Sequence, residues 1–359
     1  MKNEYDDYYY TVKEAAEKLG VSKQTLRRWD NSGKFVSKRH PINNYRVYSQ
    51  SQLDSFVAEL ETFNAFNFND HNMDDLSVFM ETKYGKLYNI DAIEFLKYIP
   101  DQSVDLVFAD PPYNISKAQW DTFESQKAYI DWSMKWISEA QRILTDRGSL
   151  FICGFSEILA DIKWAASSYF RGCKWLIWYY RNKANMGNDW GRSHESILHF
   201  RKTKDFIFHI DNVRVPYNQH TLKYPKRSQA ESSQYGNGKK YDWFPNPKGA
   251  KPKDVFEIPT IANNAWEKYN HPTQKPVELL WKILSSSTNN DSIVVDPFGG
   301  SGTTYAVAEA LELKWLGTEL DGEYCDIIHR RLSDSDHIER IASKKDQIES
   351  NLRRSKLRG

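Results

Sequence analysis

Ser292-Ile293-Val294-Val295-Asp296-Pro297-Phe298-Gly299-Gly300-Ser301-Gly302-Thr303-Thr304 leads through Tyr305-Ala306-Val307-Ala308-Glu309-Ala310-Leu311 into Leu313-Lys314-Trp315-Leu316-Gly317-Thr318 and Glu319. A short apolar run enters a glycine-rich turn, a helix-forming segment follows, and a second apolar run ends in an acidic residue. This is a strand–helix–strand unit of a parallel sheet. Glycines let backbone N–H groups close on a ligand at a helix N-terminus, where negative charge is favoured. A phosphate-binding P-loop is disfavoured because its lysine is missing: Thr303 and Thr304 follow Gly302. Glu319, about twenty positions past the turn, is what a pair of ribose hydroxyls requires. The implied ligand has a ribose and an anionic end but need not carry a phosphate.

S-adenosylmethionine (SAM) fits that description. A second stretch suits the capture of a flat, amine-bearing ring. The apolar run Val104-Asp105-Leu106-Val107-Phe108-Ala109 ends in Asp110-Pro111-Pro112-Tyr113. The two prolines stiffen the turn and remove two N–H donors, leaving local carbonyls to accept hydrogen bonds. Asp110 adds a charged acceptor and Tyr113 a stacking face.

With both motifs in place, the chain resembles the amino-methylating DNA methyltransferases of the β arrangement. In that family the Asp-Pro-Pro-Tyr motif comes before the target-recognition region and the SAM motif comes last. The likeness covers roughly residues 84 to 332. It implies that Asp110, Pro111, Pro112 and Tyr113 are catalytic, with Asp110 also bordering the cofactor. Asp296, Phe298, Gly299, Gly300, Ser301, Gly302 and Thr303 would hold SAM. In His271-Pro272-Thr273-Gln274-Lys275-Pro276-Val277-Glu278-Leu279-Leu280, Thr273 and Lys275 would help hold its methionine part. Asn89-Ile90-Asp91-Ala92 would bring Asp91 to the adenine, and Glu319 would take the ribose.

The implied fold is α/β and Rossmann-like: a circularly permuted, doubly wound, seven-stranded sheet with one antiparallel strand near an edge. The implied activity is methyl transfer from SAM to N6 of a flipped-out adenine in double-stranded DNA, without a metal, in a restriction–modification system. A homodimer, a cognate endonuclease encoded nearby and a cytoplasmic location complete the expectation. Cytosine-N4 methylation is the alternative within the family, although its cytosine enzymes more often carry Ser where Asp110 stands. A regulator that keeps the fold for binding alone is the alternative outside it. Arg192, His194 and Glu195 match a family position near the target base only loosely, and His194 and Glu195 read equally well as polar residues entering a strand.

Residues 1–60 form a separate module. Thr11-x-x-Glu14 is a capping box opening a helix with Val12, Ala15, Ala16 and Leu19 on one face. Gly20-Val21 makes a turn, and Ser22 caps a second helix bearing Lys23, Gln24, Thr25, Leu26, Arg27, Arg28 and Trp29. Phe35-Val36 and Tyr45-Arg46-Val47-Tyr48 flank a turn at Ile42-Asn43-Asn44. The whole resembles the MerR and excisionase type of winged helix-turn-helix. DNA contacts are expected from Lys23, Gln24, Thr25, Arg27, Arg28, Arg39 and Arg46, because phosphate binding needs such charge. A helical cap that never touches DNA is the structural alternative. Residues 61–83 read as a linker, within which Phe63, Phe66 and Phe68 could pack on the catalytic domain.

Between the two motifs, Ser125 to Leu144 reads as an amphipathic helix with Ile130, Met134, Ile137 and Ala140 inward. Ser149–Cys153, Trp175–Tyr179 and Ser196–Phe200 read as strands, and Ile158–Phe170 as a helix. Residues 201–265 interrupt the alternation. From Arg201 to Lys253 twelve lysines and arginines face four acidic residues, with aromatics interleaved. That composition and the family order make this the target-recognition insertion. Residues 333–359 read as a charged, solvated C-terminal helix and tail. The 359-residue chain has formal net charge +1 and three scattered cysteines, so neither disulfides nor zinc is expected. It contains no run of about 18 apolar residues, so no membrane span is expected.

Overall fold

The computed structural model describes residues 8–19, 23–32, 35–40, 43–56, 76–114, 122–182, 188–229 and 240–344. Contacts divide the chain into a unit of residues 1–69 and a unit of residues 70–359. The expected turn and cap at 20–22, residues 57–60 of the N-terminal module, residues 61–75 of the expected linker with Phe63, Phe66 and Phe68, residues 230–239 of the insertion and the tail beyond 344 lie outside the described residues.

The first unit contains β1 (Tyr9–Thr11), α1 (Val12–Lys18), α2 (Lys23–Ser32), β2 (Lys38–Arg39), β3 (Arg46–Ser49) and α3 (50–56). The capping box forms: Thr11 Oγ1 accepts from the Glu14 N–H, and the Glu14 carboxylate accepts from the Thr11 N–H at 2.8 Å. Ala15, Ala16, Leu26, Trp29, Tyr48 and Leu53 bury together as its core. β2 and β3 pair as a wing, with Lys38–Arg39 rather than the expected Phe35-Val36 as its first strand, and β1 adds to the other side of β3. β1 is three residues long, too short for an alternating pattern to reveal.

The second unit is built on one sheet. Its strands are β4 (Val78–Glu81), β5 (Gly85–Tyr88), β6 (Val104–Ala109), β7 (Leu144–Gly154), β8 (Gly172–Tyr179), β9 (His194–Arg201), β12 (Val255–Glu257), β13 (Ile293–Asp296) and β14 (Lys314–Thr318). The order is β12-β8-β9-β7-β6-β13-β14-β5-β4, with β9 and β4 antiparallel to their neighbours. The expected seven strands are its centre, and β4 and β12 extend it to nine. Both additions are edge strands of three or four residues and carry little periodicity of their own.

The helices are α4 (Ala92–Tyr98), α5 (Gln126–Ile143), α6 (Ser156–Ala165), α7 (Gln219–Lys223), α8 (Val277–Ser287), α9 (Thr303–Leu311), α10 (Gly322–Ser333) and α11 (Ser335–Ala342). α4, α5 and α6 pack in one group and α8 to α11 in another. From β5 to β6 to β7 the chain moves one way along the sheet, and from β13 to β14 it moves the other. Right-handed crossovers therefore place the two helix groups on opposite faces. No described helix is long and apolar enough to cross a membrane.

Three expectations change. α5 buries Tyr129, Ser133, Trp136, Ile137, Ala140 and Ile143, whereas Ile130 and Met134 are only half-buried. The face is rotated because its aromatic residues supply most of the apolar area. The insertion has structure: α7, a hairpin of β10 (Arg227–Gln229) with β11 (Tyr241–Trp243), and a return to the sheet at β12. Finally, α11 is packed rather than solvated, with His337 and Ile341 buried. A hydrophobic stripe four residues long in a charged helix is easily missed.

The β13–β14 unit is locked by an aromatic pair. Tyr305 of α9 stacks on Trp315 at 4.6 Å between ring centroids. Its hydroxyl donates to the Asp296 carbonyl at 2.8 Å. Gly317 lies under Tyr305, and a Cβ there would sit 2.2 Å from the ring. Gly317→Ala should therefore destabilise the second unit by about 1–3 kcal/mol, the usual cost of overpacking. Urea unfolding of the variant against wild type measures this.

Candidate active site

The sheet brings the motifs together at one edge. β5, β14, β13 and β6 are consecutive parallel strands, with Val294 beside Leu106 and Val295 beside Val107. Asp91, Glu319, the Asp296 turn and Asp110 follow these four strands at their C-terminal ends. Ligands of open α/β sheets bind there. Asp91, Asp110, Thr273, Lys275, Asp296, Phe298, Gly299, Gly300, Ser301, Thr303 and Glu319 line one cavity of about 510 Å³, together with Pro111, Pro112 and Tyr113. Gly302 is behind the lining; it lies at φ +71 and caps α9.

The glycine turn is held from within. Asp296 is buried, and its carboxylate accepts from the Phe298 N–H at 2.9 Å and from the Thr304 hydroxyl. Burial pushes that carboxyl well above the usual range. Its contacts are those of a turn anchor. Gly300 adopts φ +53, where L-residues are disfavoured, and its N–H donates to Glu319 Oε2 at 2.7 Å. Burial raises the Glu319 carboxyl as well. Asp91 caps α4 through its Oδ1, which accepts from the Ile93 and Glu94 N–H groups. Phe298 presents its ring to the cavity and packs edge-on against Trp136 at 5.3 Å.

Asp110 is the hub of the other end. Its Oδ1 accepts from the Tyr113 hydroxyl at 2.7 Å and its Oδ2 from the Lys275 ammonium at 2.6 Å. Lys275 is 5% exposed; the carboxylates of Asp110 and Glu195 outweigh its burial and raise it above the ordinary lysine range. Tyr113 is buried beside the same two carboxylates, which adds to the upward push of burial on its hydroxyl. The Pro112 carbonyl accepts from Tyr129 at 2.7 Å, so it is not free as the sequence suggested.

Several contributors escaped the sequence reading. Glu195, at the start of β9, comes within 3.2 Å of the Tyr113 hydroxyl. Arg331 of α10 is buried and donates to the Ser301 carbonyl at 3.0 Å and to Thr303 Oγ1 at 2.8 Å, bracing the turn from behind. Phe123, Trp132, His271 and Tyr324 complete the wall. Of these, Glu195 had a loose match to a family position and His271 lay within a quoted motif; the others had no signal.

Among the expected DNA-contacting residues, Lys23, Arg27 and Arg39 are exposed. Gln24, Thr25 and Arg28 lie on α2, with side chains outside the described set. Arg46 is turned inward to an ion pair with Asp30, which also accepts from the Ser37 N–H at 2.7 Å. Its charge is therefore largely committed within the first unit.

The family pattern of the N6/N4 DNA methylases matches residues 104–330, and that of a helix-turn-helix domain matches residues 9–61. The chain belongs to the N6/N4 DNA methylase family. It is 32% identical to the type II methyltransferase M.BamHI of Bacillus amyloliquefaciens over 79% of this chain and 66% of that protein. It is 33% identical to the type II methyltransferase M1.MboII of Moraxella bovis, over 67% of this chain and 93% of that one. To the DNA adenine methyltransferase YhdJ of Escherichia coli (strain K12) it is 34% identical over 74% of this chain and 90% of that one. The PvuII DNA methyltransferase, cytosine-N4-specific, shares its fold with a TM-score of 0.53 at 20% identity, covering 75% of this chain and 93% of that one. The chain is thus a SAM-dependent DNA methyltransferase of the amino-methylating kind. The residues present fit SAM: the cavity has the volume of a small-molecule site and runs from the glycine turn to the Asp110 cluster.

Two expectations follow from the electrostatics. Lys275→Met would leave Asp110 and Glu195 without their shared cation, and should lower stability by about 3–5 kcal/mol in urea unfolding. Burial holds His271 down to about 4, His337 to about 4 and His199 to about 3, against 6.5 ordinarily. The unfolded chain binds these protons more readily, so the stability these histidines contribute is complete above pH 6.5 and is lost as pH falls towards about 4, while the raised Asp296 and Glu319 carboxyls act in the opposite sense. The urea midpoint of wild type should therefore fall more steeply with falling pH across that window than that of a His199→Gln variant.

Proposed function

We propose that this enzyme methylates N6 of adenine in double-stranded DNA, as the modification partner of a restriction endonuclease. The observation that carries the reading is Asp110, flanked by Pro111 and Tyr113, in one cavity with the glycine turn and Glu319. An adenine amine is a poor nucleophile because its lone pair is delocalised into the ring. Hydrogen bonds from that amine to the Asp110 carboxylate and the Pro111 carbonyl would pull the nitrogen towards tetrahedral geometry and localise the pair. The Pro112 carbonyl already accepts from the Tyr129 hydroxyl.

Extruding a base from the duplex costs a few kcal/mol. Stacking on the Tyr113 ring offsets about 1–3 kcal/mol of it. Bound SAM supplies an electrophilic sulfonium methyl. Ser301, Thr303 and the Gly300 backbone hold its methionine end, Glu319 its ribose hydroxyls and Asp91 its adenine. Acceleration then comes from in-line placement and electrostatics, and no strong general base is needed.

Adenine rather than cytosine is favoured by Asp at position 110 and by the likeness to an enzyme named as an adenine methyltransferase. The basic insertion supplies phosphate contacts and base readout. In the first unit, of the MerR and excisionase type, Lys23, Arg27 and Arg39 add further DNA contacts. The enzyme works as a homodimer in the cytoplasm.

Asp110→Ala should retain SAM binding in calorimetry and lose methyl transfer from labelled SAM. Wild-type protein incubated with unmethylated genomic DNA should yield N6-methyladenine on nucleoside mass spectrometry. N4-methylcytosine instead would establish the alternative substrate, and no methylated base would leave DNA binding as the role.

A further inference from the structure

The amine must be accepted by Asp110, yet both oxygens of that carboxylate are already engaged, one by Tyr113 and one by Lys275. A carboxylate that shares its charge with a buried ammonium is a weaker acceptor for a neutral amine. Glu195 supplies the missing element. Its Oε2 lies 3.2 Å from the Tyr113 hydroxyl and 3.7 Å from the Lys275 ammonium. A tyrosine hydroxyl has one proton, so it serves one carboxylate at a time. Tyr113 and Lys275 thus stand between two acceptors of the same kind.

We propose that Glu195 is a positioning residue for methyl transfer: it takes over the Tyr113 hydroxyl and Lys275 when the substrate amine claims Asp110. A purely structural role explains the geometry less well. Asp110 alone suffices to neutralise Lys275, and a second, largely buried carboxylate beside it carries a desolvation cost. Two carboxylates around one ammonium leave a net negative charge beside the point where the amine nitrogen becomes cationic. That charge favours the transition state over the neutral ground state. β9 delivers Glu195 because it runs antiparallel to β7, so its first residues reach the end of the sheet where the parallel strands finish.

The inference rests on the amino-methylation reading, and the experiment separates the two. Single-turnover transfer from labelled SAM to unmethylated genomic DNA is measured for full-length wild type, Glu195→Gln, Glu195→Asp, Tyr113→Phe and the Glu195→Gln/Tyr113→Phe double variant. Glu195→Gln, isosteric but uncharged, should be slower by about 10²-fold, the scale of a misplaced reacting group. Its SAM affinity in calorimetry should not change and its urea midpoint should not fall. Glu195→Asp, charged on a shorter arm, should recover part of the rate. Because Tyr113→Phe removes the proton to be handed over, the double variant should be slower than Tyr113→Phe by less than the full Glu195→Gln factor. A wild-type rate in Glu195→Gln, a loss that tracks SAM affinity or stability, or fully additive effects would overturn the inference while leaving the methyltransferase reading intact. Wild-type protein that transfers no methyl group to DNA would overturn both.

Discussion

The active site depends on one pairing: β13, from late in the chain, enters the sheet between β6 and β14. About 190 residues separate Leu106 from its partner Val294. The pair is parallel, so both strands end on the same side. Asp110 and the glycine turn then stand next to each other, with Glu319 and Asp91 one and two strands further on. No local property of either motif could produce that adjacency.

Around that edge, polar groups do two different jobs. Asp296 spends its carboxylate on the turn itself, through Phe298 and Thr304, and the Tyr305 hydroxyl ties the same residue's carbonyl to α9. Arg331 reinforces the turn from outside the cavity, and Thr303 passes the constraint on by donating to the Lys275 carbonyl at 3.0 Å. Lys275 in turn holds Asp110. A path of hydrogen bonds, running through the Lys275 side chain, therefore links the glycine turn proposed to hold the cofactor to the Asp110 carboxylate proposed to receive the substrate amine. Such a path fixes the relative position of donor and acceptor, which an in-line transfer requires.

Lys275 has contacts that motif likeness does not reveal. The family likeness assigned it to the methionine part, and it does line the cofactor cavity. Its ammonium, however, is directed at Asp110 and Glu195. The same holds for Arg46, which looked like a phosphate contact in the sequence and is paired with Asp30. A basic residue declares its charge in the sequence but not its partner, because the partner comes from another element. Conversely, Glu195 was ambiguous beside His194 until β9 placed it against the Tyr113 hydroxyl and the Lys275 ammonium.

The sequence by itself determined the class of fold, the strand–turn–helix unit at Asp296, the strand end at Asp110-Pro111-Pro112-Tyr113, and the helix-turn-helix module with its capped first helix. These features are local: period, glycine and proline geometry and capping operate within a few residues. Tertiary structure alone decided the two extra edge strands, the inward face of α5, the burial of α11 and the contacts of Glu195 and Arg331. Each of these depends on which surface a segment meets after folding, and the chain of residues that defines such a surface is scattered along the sequence. The Asp110 cluster belongs to both: its first carboxylate is legible in Asp110-Pro111-Pro112-Tyr113, and its second exists only because an antiparallel strand returns to the same end of the sheet.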